Sequence, residues 1–169
     1  KAYWSATITV TTNDGWYTAT CSLANWAWCF LKWTPILMTE WYKNIEDIDV
    51  WDVVLSFNEE IWEIENNTVI DFIKHPYNWV MVNLNWWVIE ATANHPVYTS
   101  KDKENREYKL IWDIEVWEWI YSKDWYIEVL DKEEREYDWD VYNFTVDKTH
   151  NYFVFGWVLV HNAVTGGND

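Results

Sequence analysis

The sequence predicts an all-β fold. Short runs rich in β-branched and aromatic residues recur between turn signals, helical periodicity is scarce, and proline occurs only at positions 35, 76 and 96. We expect strands at residues 53–57, 80–84, 88–92, 126–130, 141–146 and 152–160. A chain of 169 residues with this pattern suits one domain plus flanking pieces.

An internal repeat indicates a two-part architecture. Segment 45–54, IEDIDVWDVV, aligns without gaps on segment 111–120, IWDIEVWEWI, and five of the ten positions are identical. Self-similarity across half of a domain predicts two related β-subdomains.

The first 28 residues differ in pattern from the rest of the chain. Segments 6–12 and 17–21 alternate in polarity around Asn13-Asp14-Gly15, which predicts a β-hairpin. Residues 22–28 then form a linker.

Charge and hydropathy exclude two classes of partner. A formal net charge of −16 argues against nucleic acid, because neutralising phosphates requires a basic surface. We also expect no membrane partner, since no apolar run reaches transmembrane length. No signal-peptide pattern begins at Lys1, so we expect an interior fragment of a larger protein.

Tryptophan is anomalous, with 17 residues against four glycines. Five tryptophans follow Asn or Asp, where hairpin turns favour glycine because it accepts a positive φ: Trp26, Trp79, Trp86, Trp125 and Trp139. One hypothesis is that tryptophan stands at glycine positions. The other is a Trp-rich β-module that binds carbohydrate on its aromatic faces.

The segment 150–162 carries the strongest chemical signal. An apolar run ends in His161-Asn162 and is followed by Ala163. The side-chain amide of an Asn can attack its own backbone carbonyl, which closes a succinimide and cuts the chain. Because this reaction is slow in water, it needs neighbours such as His161 and His150 to polarise the carbonyl and assist the nitrogen.

Four further segments precede it in a definite order. They are 29–37, which begins with Cys29, then 45–56, Thr92-Ala93-Asn94-His95-Pro96, and 141–146. The ordered set resembles the motifs of inteins and of the bacterial intein-like group of the Hint superfamily. The resemblance implies a horseshoe of two pseudo-symmetric β-subdomains over residues 29–162, with 1–28 and 163–169 as flanking segments.

The resemblance also implies a role for each catalytic residue. Cys29 would attack the carbonyl of Trp28 to give a thioester. His95 would protonate the departing nitrogen, with Thr92 and Asn94 hydrogen-bonding the scissile amide.

At the other end, Asn162 would cyclise, His161 would polarise its carbonyl, and His150 would assist the attacking or leaving nitrogen. Asn143 stands where the family pattern often has Asp, so an acid of the central step would be missing. His75 receives no role.

Ala163 departs from the family pattern in a second way. Inteins are followed by Cys, Ser or Thr, which accepts the acyl group, whereas alanine has no nucleophilic atom. We therefore expect a single-turnover, self-cleaving domain that cuts in cis at 28/29 and 162/163 with little splicing. Its partners are its own flanks, and outside amines or thiols that capture the thioester. We expect no cofactor and no metal, because no histidine pair has ligand spacing and no CxxC occurs.

The N-terminal hairpin resembles the last two strands of bacterial Ig-like surface domains. This resemblance implies a secreted or cell-surface host protein, in which Cys21 and Cys29 would be able to pair. Two alternatives to self-cleavage stay open: the Trp-rich carbohydrate-binding β-module, and an inactive Hint relic that acts as a spacer.

Overall fold

The computed structural model describes residues 6–11, 18–23 and 28–162, and these residues contain strands and single-turn 3-10 helices but no α-helix. The all-β prediction is confirmed. The strands are β1 Ala6–Thr11, β2 Thr18–Leu23, β3 Phe30–Leu31, β4 Pro35–Leu37, β5 Tyr42–Asn44, β6 Val53–Asn58, β7 Glu63–Leu84, β8 Ile89–Thr92, β9 Pro96–Ser100, β10 Arg106–Leu110, β11 Trp119–Tyr121, β12 Tyr126–Glu128, β13 Lys132–Val146, β14 Asn151–Val154 and β15 Val158–His161. The 3-10 helices are Ile45–Asp47, Ile111–Asp113 and Phe155–Trp157. Within the same residues, no helix is long and apolar enough to cross a membrane.

The N-terminal hairpin is present as paired backbone. Strands β1 and β2 pair antiparallel from Ala6 opposite Leu23 to Thr11 opposite Thr18. The predicted turn at Asn13-Asp14-Gly15, most of the linker and the C-terminal flank lie outside the described residues. The side chain of Cys21 lies outside them too, while Cys29 is a free thiol.

Two sheets build the main part of the chain. The order in one is β12-β11-β9-β15-β14-β4-β5, with β10 paired to β9, and the order in the other is β13-β3-β8-β7-β6. The short β3 is held between β13 and β8, through Tyr142 opposite Phe30 and Phe30 opposite Ala91. The residue before β3 is Cys29, so the predicted nucleophile enters between two strands of the sheet.

A long antiparallel ribbon of β7 and β13 runs beside this site. The pairing extends from Lys132 opposite Leu84 to Val146 opposite Val69, with an irregularity between Thr145 and Val146. The sequence pattern predicts only 80–84 and 141–146 as strands in this part of the chain. Residues 132–140 of β13 are mostly charged and exposed, so cross-strand pairing holds this half of the ribbon. Residues 63–79 of β7 mix polar side chains with the buried Val69 and Tyr77.

The internal repeat is a structural repeat. Ile45 and Ile111 each begin a 3-10 helix, and both are fully buried. Three residues later, Ile48 and Ile114 are also buried, in extended backbone that caps each helix. The repeated IxxI pattern therefore anchors one short helix of each subdomain in the core.

An ion pair between a lysine before each helix and an acid after it is repeated as well. Lys43 lies 2.6 Å from Asp52, and Lys109 lies 2.7 Å from Glu118. Each acid also accepts from the backbone N–H three residues before it, at 2.8 Å in the first subdomain and 2.9 Å in the second. Asp52 and Glu118 thus make the same contacts in the two subdomains. The predicted pseudo-symmetry is confirmed.

The prediction of a single strand over 152–160 is wrong. The structure divides this run into β14 and β15, which pair as a hairpin with Asn151 opposite His161 and Val154 opposite Val158. The 3-10 helix Phe155–Trp157 makes the turn, and Trp157 has a φ of 69°. Residues 152–154 and 158–160 are all buried. Because the sequence is apolar on both sides of the turn, its pattern does not indicate that the chain reverses there.

Tryptophan accounts for most of the left-handed backbone. Among the described residues, the non-glycine residues with positive φ are Trp33, Trp51, Trp62, Asn85, Trp86, Trp87, Lys103, Trp117, His150 and Trp157. Seven of these ten are tryptophan. Their φ values lie between 49° and 81°, the region in which a Cβ costs free energy and glycine does not.

Candidate functional site

The backbone of Cys29 is held by two hydrogen bonds to Thr92. Its N–H donates to the hydroxyl oxygen of Thr92 at 3.0 Å, and the backbone N–H of Thr92 donates to the Cys29 carbonyl at 3.0 Å. Thr92 ends β8 and is fully buried. The nitrogen that would leave when the 28/29 bond breaks is therefore held in a defined place.

The carbonyl of Trp28 has a side-chain donor. The Nδ2 group of Asn143 donates a hydrogen bond to the Trp28 oxygen. The other end of the same amide, Oδ1, accepts from the Tyr152 hydroxyl at 2.7 Å and from the Phe144 N–H at 2.7 Å. Because two donors occupy Oδ1, the NH₂ group must face the carbonyl. A neutral donor aimed at this oxygen can stabilise negative charge that develops on it.

The thiol of Cys29 is free, fully buried and within reach of a base. Its Sγ lies 3.4 Å from Nε2 of His75, on strand β7. Burial raises the pKa of the Cys29 thiol well above its usual range, so the thiol is protonated at neutral pH. A nucleophile in this state requires a group that removes its proton as it attacks.

His95 lies beneath the same site. Its ring is fully buried, with its centroid 4.2 Å from that of Phe30. Burial and, to a lesser extent, the nearby His161 lower the pKa of His95 to about 3, so the ring is neutral at neutral pH. Neither ring nitrogen has a hydrogen-bond partner among the described residues.

Within the described residues, Asn94 makes no hydrogen bond to Cys29. Its side chain is almost fully buried, and its Oδ1 has no partner within the described part of the chain. The predicted hydrogen bond from this residue to the scissile amide is not formed in this structure. The motif 92–95 instead acts on Cys29 through Thr92.

The second junction has its own donor. Nδ1 of His161 lies 2.8 Å from the carbonyl oxygen of Asn162, in position to donate to it when Nδ1 carries the proton. The backbone N–H of Asn162 donates to the His150 carbonyl at 2.9 Å. The buried side-chain amide fits best with Nδ2 donating to that carbonyl at 2.8 Å and Oδ1 accepting from the Val146 N–H at 3.0 Å.

His150 is the exposed member of this group. Its backbone φ is 54°, and its ring lies parallel to that of His161 with 6.5 Å between centroids. It reaches Asn162 through its carbonyl in this structure, so the backbone of His150 positions the residue that would cyclise.

The two junctions meet in one place. The indole of Trp28 contacts the edge of the His161 ring, with 5.8 Å between centroids and perpendicular planes. The structure therefore brings together Cys29, Thr92, Asn143, His161 and Asn162, with His95 and His150 beside them. Sequence motifs more than 100 residues apart form one site.

Solved structures share this architecture. The bacterial intein-like domain from Clostridium thermocellum is 27% identical, with a TM-score of 0.69 over 79% of this chain and 98% of that one. The Hint-type fold is present in this chain. The DnaB intein from Synechocystis sp. PCC 6803 (18% identity, TM-score 0.69, 82% and 100% of the two chains) and the gp41-1 intein (19%, TM-score 0.62, 80% and 99%) show the same fold.

No protein-family profile matches the chain. No curated protein matches it either. The assignment of a Hint-type fold therefore rests on the structural similarity and on the ordered motifs.

Two residues of the Hint site are not predicted by the sequence. His75 lies outside every motif, and Tyr152 reads as one more apolar position in a buried run. Each reaches the site through strand pairing: His75 lies opposite Val141, and Tyr152 lies opposite Val160. The one available signal for Tyr152 is a hydroxyl in an otherwise apolar run, since a buried hydroxyl needs a partner.

Proposed function

We propose that this Hint domain cuts its own chain at 28/29 and at 162/163, with the two cuts independent of each other. The observation that carries the proposal is that each scissile carbonyl has a different side chain in position to donate a hydrogen bond to it. Asn143 serves the Trp28 oxygen, and His161 serves the Asn162 oxygen.

The upstream step is an acyl shift from nitrogen to sulfur. Sγ of Cys29 attacks the Trp28 carbonyl carbon, the C–S bond forms, and the C–N bond to Cys29 breaks. The Asn143 amide stabilises the oxyanion between these events. The departing nitrogen gains one proton and the thiol loses one, so the shift is balanced. We assign to neutral His95 a hydrogen bond to the departing nitrogen, and not the loss of its own ring proton, because a neutral imidazole is a very weak acid.

The downstream step is cyclisation of Asn162. Its Nδ2 attacks its own carbonyl carbon, the C–N bond to Ala163 breaks, and Ala163 leaves as a free amine. His161 Nδ1 polarises the carbonyl. The product is a succinimide at the new C-terminus.

The side chain at position 163 limits the outcome. Alanine cannot accept the acyl group of the thioester, so the thioester reverts, hydrolyses, or passes to an outside thiol or amine. Release of two fragments and the excised domain is therefore the main result, and ligation of the two flanks is minor.

The test is the intact mass of the full chain over time, with and without a thiol reductant. Fragments that end at Trp28 and at Asn162, the latter one water lighter, support the proposal. Cys29→Ala should remove only the upstream cut, and Asn162→Ala only the downstream cut. Loss of both cuts in either variant contradicts independent cleavage, and an unchanged mass in all chains identifies an inactive relic.

Carbohydrate binding has less support in the structure. The exposed tryptophans with positive φ occupy turns after different strands, and they do not share one strand face. A platform that stacks sugars needs aromatic rings side by side on one surface.

A further inference from the structure

His75 is outside every motif of the chain, yet its imidazole contacts the nucleophile. We propose that His75 is the general base that takes the proton from the Cys29 thiol as Sγ attacks the Trp28 carbonyl. This inference rests on the proposed upstream cleavage. It assigns to that cleavage a residue that the ordered motifs do not contain.

Hydrogen bonding selects the tautomer that a base requires. Nδ1 of His75 lies 2.9 Å from the carbonyl oxygen of Pro76. A carbonyl can only accept, so Nδ1 carries the hydrogen and Nε2 presents a lone pair. Nε2 is the atom 3.4 Å from Sγ of Cys29. The arrangement has the three parts of an activated nucleophile: thiol, base, and a group that orients the base.

The ribbon of β7 and β13 places this base. His75 lies opposite Val141, and Ile73 lies opposite Asn143. Since side chains alternate along a strand, His75 and Asn143 lie on the same face of the ribbon. The base and the oxyanion donor therefore approach the 28/29 bond from neighbouring positions of one rigid element.

Other groups near Sγ are less suited to this role. Thr92 already uses its hydroxyl oxygen to accept from the Cys29 N–H, and a hydroxyl is a poor base. His95 is fully buried against Phe30, and Asn143 is a neutral amide. His75 is half-buried, and its Nε2 is the ring nitrogen that faces Sγ.

The proton balance is complete. The thiol proton moves to Nε2 of His75 while the C–S bond forms. The same proton then passes from Nε2 of His75 to the nitrogen of Cys29 as the C–N bond breaks. The acyl shift as a whole therefore neither takes up nor releases a proton.

The test compares His75→Gln with the unmodified chain in the presence of dithiothreitol, from about pH 6 to about pH 9. General-base catalysis is worth on the order of 100-fold, so we expect upstream cleavage to slow by about that factor near neutral pH. The difference should narrow at the alkaline end because hydroxide replaces the base. The downstream cut in the same molecule is an internal control and keeps its rate. Asn78→Ala, an exposed position on the same strand, is the matched control.

Equal upstream rates in both chains, or an equal loss at both junctions, would overturn the assignment. If the unmodified chain cuts at neither junction, the proposed function fails, and the base is tested separately by NMR of the His75 ring. In a Cys21→Ser background, we expect long-range ¹H–¹⁵N spectra at neutral pH to show the hydrogen on Nδ1 of His75 and a shift of the Nε2 signal when Cys29 is replaced by alanine. A hydrogen on Nε2, or an unchanged Nε2 signal, overturns the role of His75 whether or not the chain cuts.

The tryptophans with positive φ carry a second, independent inference. Six of the seven side chains are exposed, with exposed fractions of 67% at Trp33, 77% at Trp51 and 70% at Trp117, while Trp157 is partly buried. Left-handed backbone costs a bulky residue about 1 kcal/mol or more, and exposed rings gain little packing to offset it. The six exposed residues together would use much of a typical domain stability of about 5–15 kcal/mol.

We infer that the gene specifies these seven residues with UGA codons, which its host translates as glycine. UGA differs from the tryptophan codon UGG in its third base and from the glycine codon GGA in its first base. If UGA is translated as tryptophan, the largest side chain stands at a position where the left-handed backbone favours glycine. The test is the nucleotide sequence of the seven codons together with the mass of the protein isolated from its source. UGA codons and a mass lower by whole Trp-to-Gly differences support the inference, and UGG codons overturn it.

Discussion

The side-chain amide of Asn143 donates a hydrogen bond to the backbone carbonyl of Trp28, the bond partner of the nucleophile. The family pattern often has an acid at this position, and the lack of that acid predicts a deficient central step. In the structure the amide supplies what a carboxylate cannot, which is a donor to the carbonyl oxygen. The departure at position 143 is therefore compatible with thioester formation.

Removing this donor should affect one junction. We expect Asn143→Ala to slow upstream cleavage by about 10²- to 10³-fold, the usual effect of deleting an oxyanion donor. The downstream cut should keep its rate. Mass spectrometry of both fragments during one incubation measures the two rates together, and an equal loss at both junctions would contradict the prediction.

Tyr152 should act through Asn143. Its hydroxyl holds Oδ1 of the amide at 2.7 Å. We expect Tyr152→Phe to destabilise the fold by about 1 kcal/mol, measured by urea unfolding, and to slow only the upstream cut. In the Asn143→Ala background, the same substitution should have no further effect on that rate. An additive effect would show that Tyr152 acts by another route.

His95 predicts how stability depends on pH. Its pKa is about 3 in the folded chain against 6.5 for an ordinary histidine, so the unfolded chain binds more protons between these values. The stabilisation is complete above pH 6.5 and is lost as pH falls toward the folded pKa, at up to about 1.4 kcal/mol per pH unit. Urea unfolding of a Cys29→Ala/Asn162→Ala chain, with and without His95→Asn, isolates this slope. Parallel pH curves would contradict the buried neutral state.

Glycine should stabilise the left-handed positions. We expect Trp51→Gly and Trp117→Gly each to raise the free energy of unfolding by about 1 kcal/mol, because the two residues have φ values of 81° and 80°. Trp139→Gly is the control, since Trp139 is equally exposed but lies within β13. Glycine in a strand should be neutral or destabilising there. Thermal unfolding compares the three variants.

A nucleophile at position 163 should restore ligation. We expect Ala163→Cys to convert part of the two-fragment product into a ligated peptide of residues 1–28 and 163–169. Ala163→Val, which adds bulk without a nucleophile, should not. Detection of the ligated mass in the unmodified chain at a comparable yield would show that Ala163 does not limit splicing.

The fold class, the pseudo-symmetric repeat and most of the site are predictable from sequence because they depend on local pattern. The IxxI anchors recur along the chain, and Cys29, His161 and Asn162 lie in recognisable motifs. The contact of His75 with Cys29 cannot be predicted in this way, because it depends on the register between β7 and β13 over the 15 residues of β13. Residues 132–140 of β13 are mostly charged and have no apolar alternation to indicate that register.

The hydrogen bond between Tyr152 and Asn143 cannot be predicted from the sequence for a related reason. The run 152–160 reads as one strand, and the turn at Phe155–Trp157 reverses it. Only after that reversal do β14 and β15 lie side by side, with Tyr152 directed at β13. Trp157 gives no turn signal in the sequence, because a bulky residue rarely adopts a φ of 69°.

The repeat of the two subdomains has an evolutionary consequence. The Ile45 N–H donates to the Thr34 carbonyl at 2.9 Å, and the Ile111 N–H donates to the His95 carbonyl at 2.8 Å. Thr34 and His95 therefore occupy equivalent places in the two halves, yet only one is a histidine. A duplicated ancestor would have placed the same backbone hydrogen bond in both halves, which leaves the side chain at this position free to differ between them.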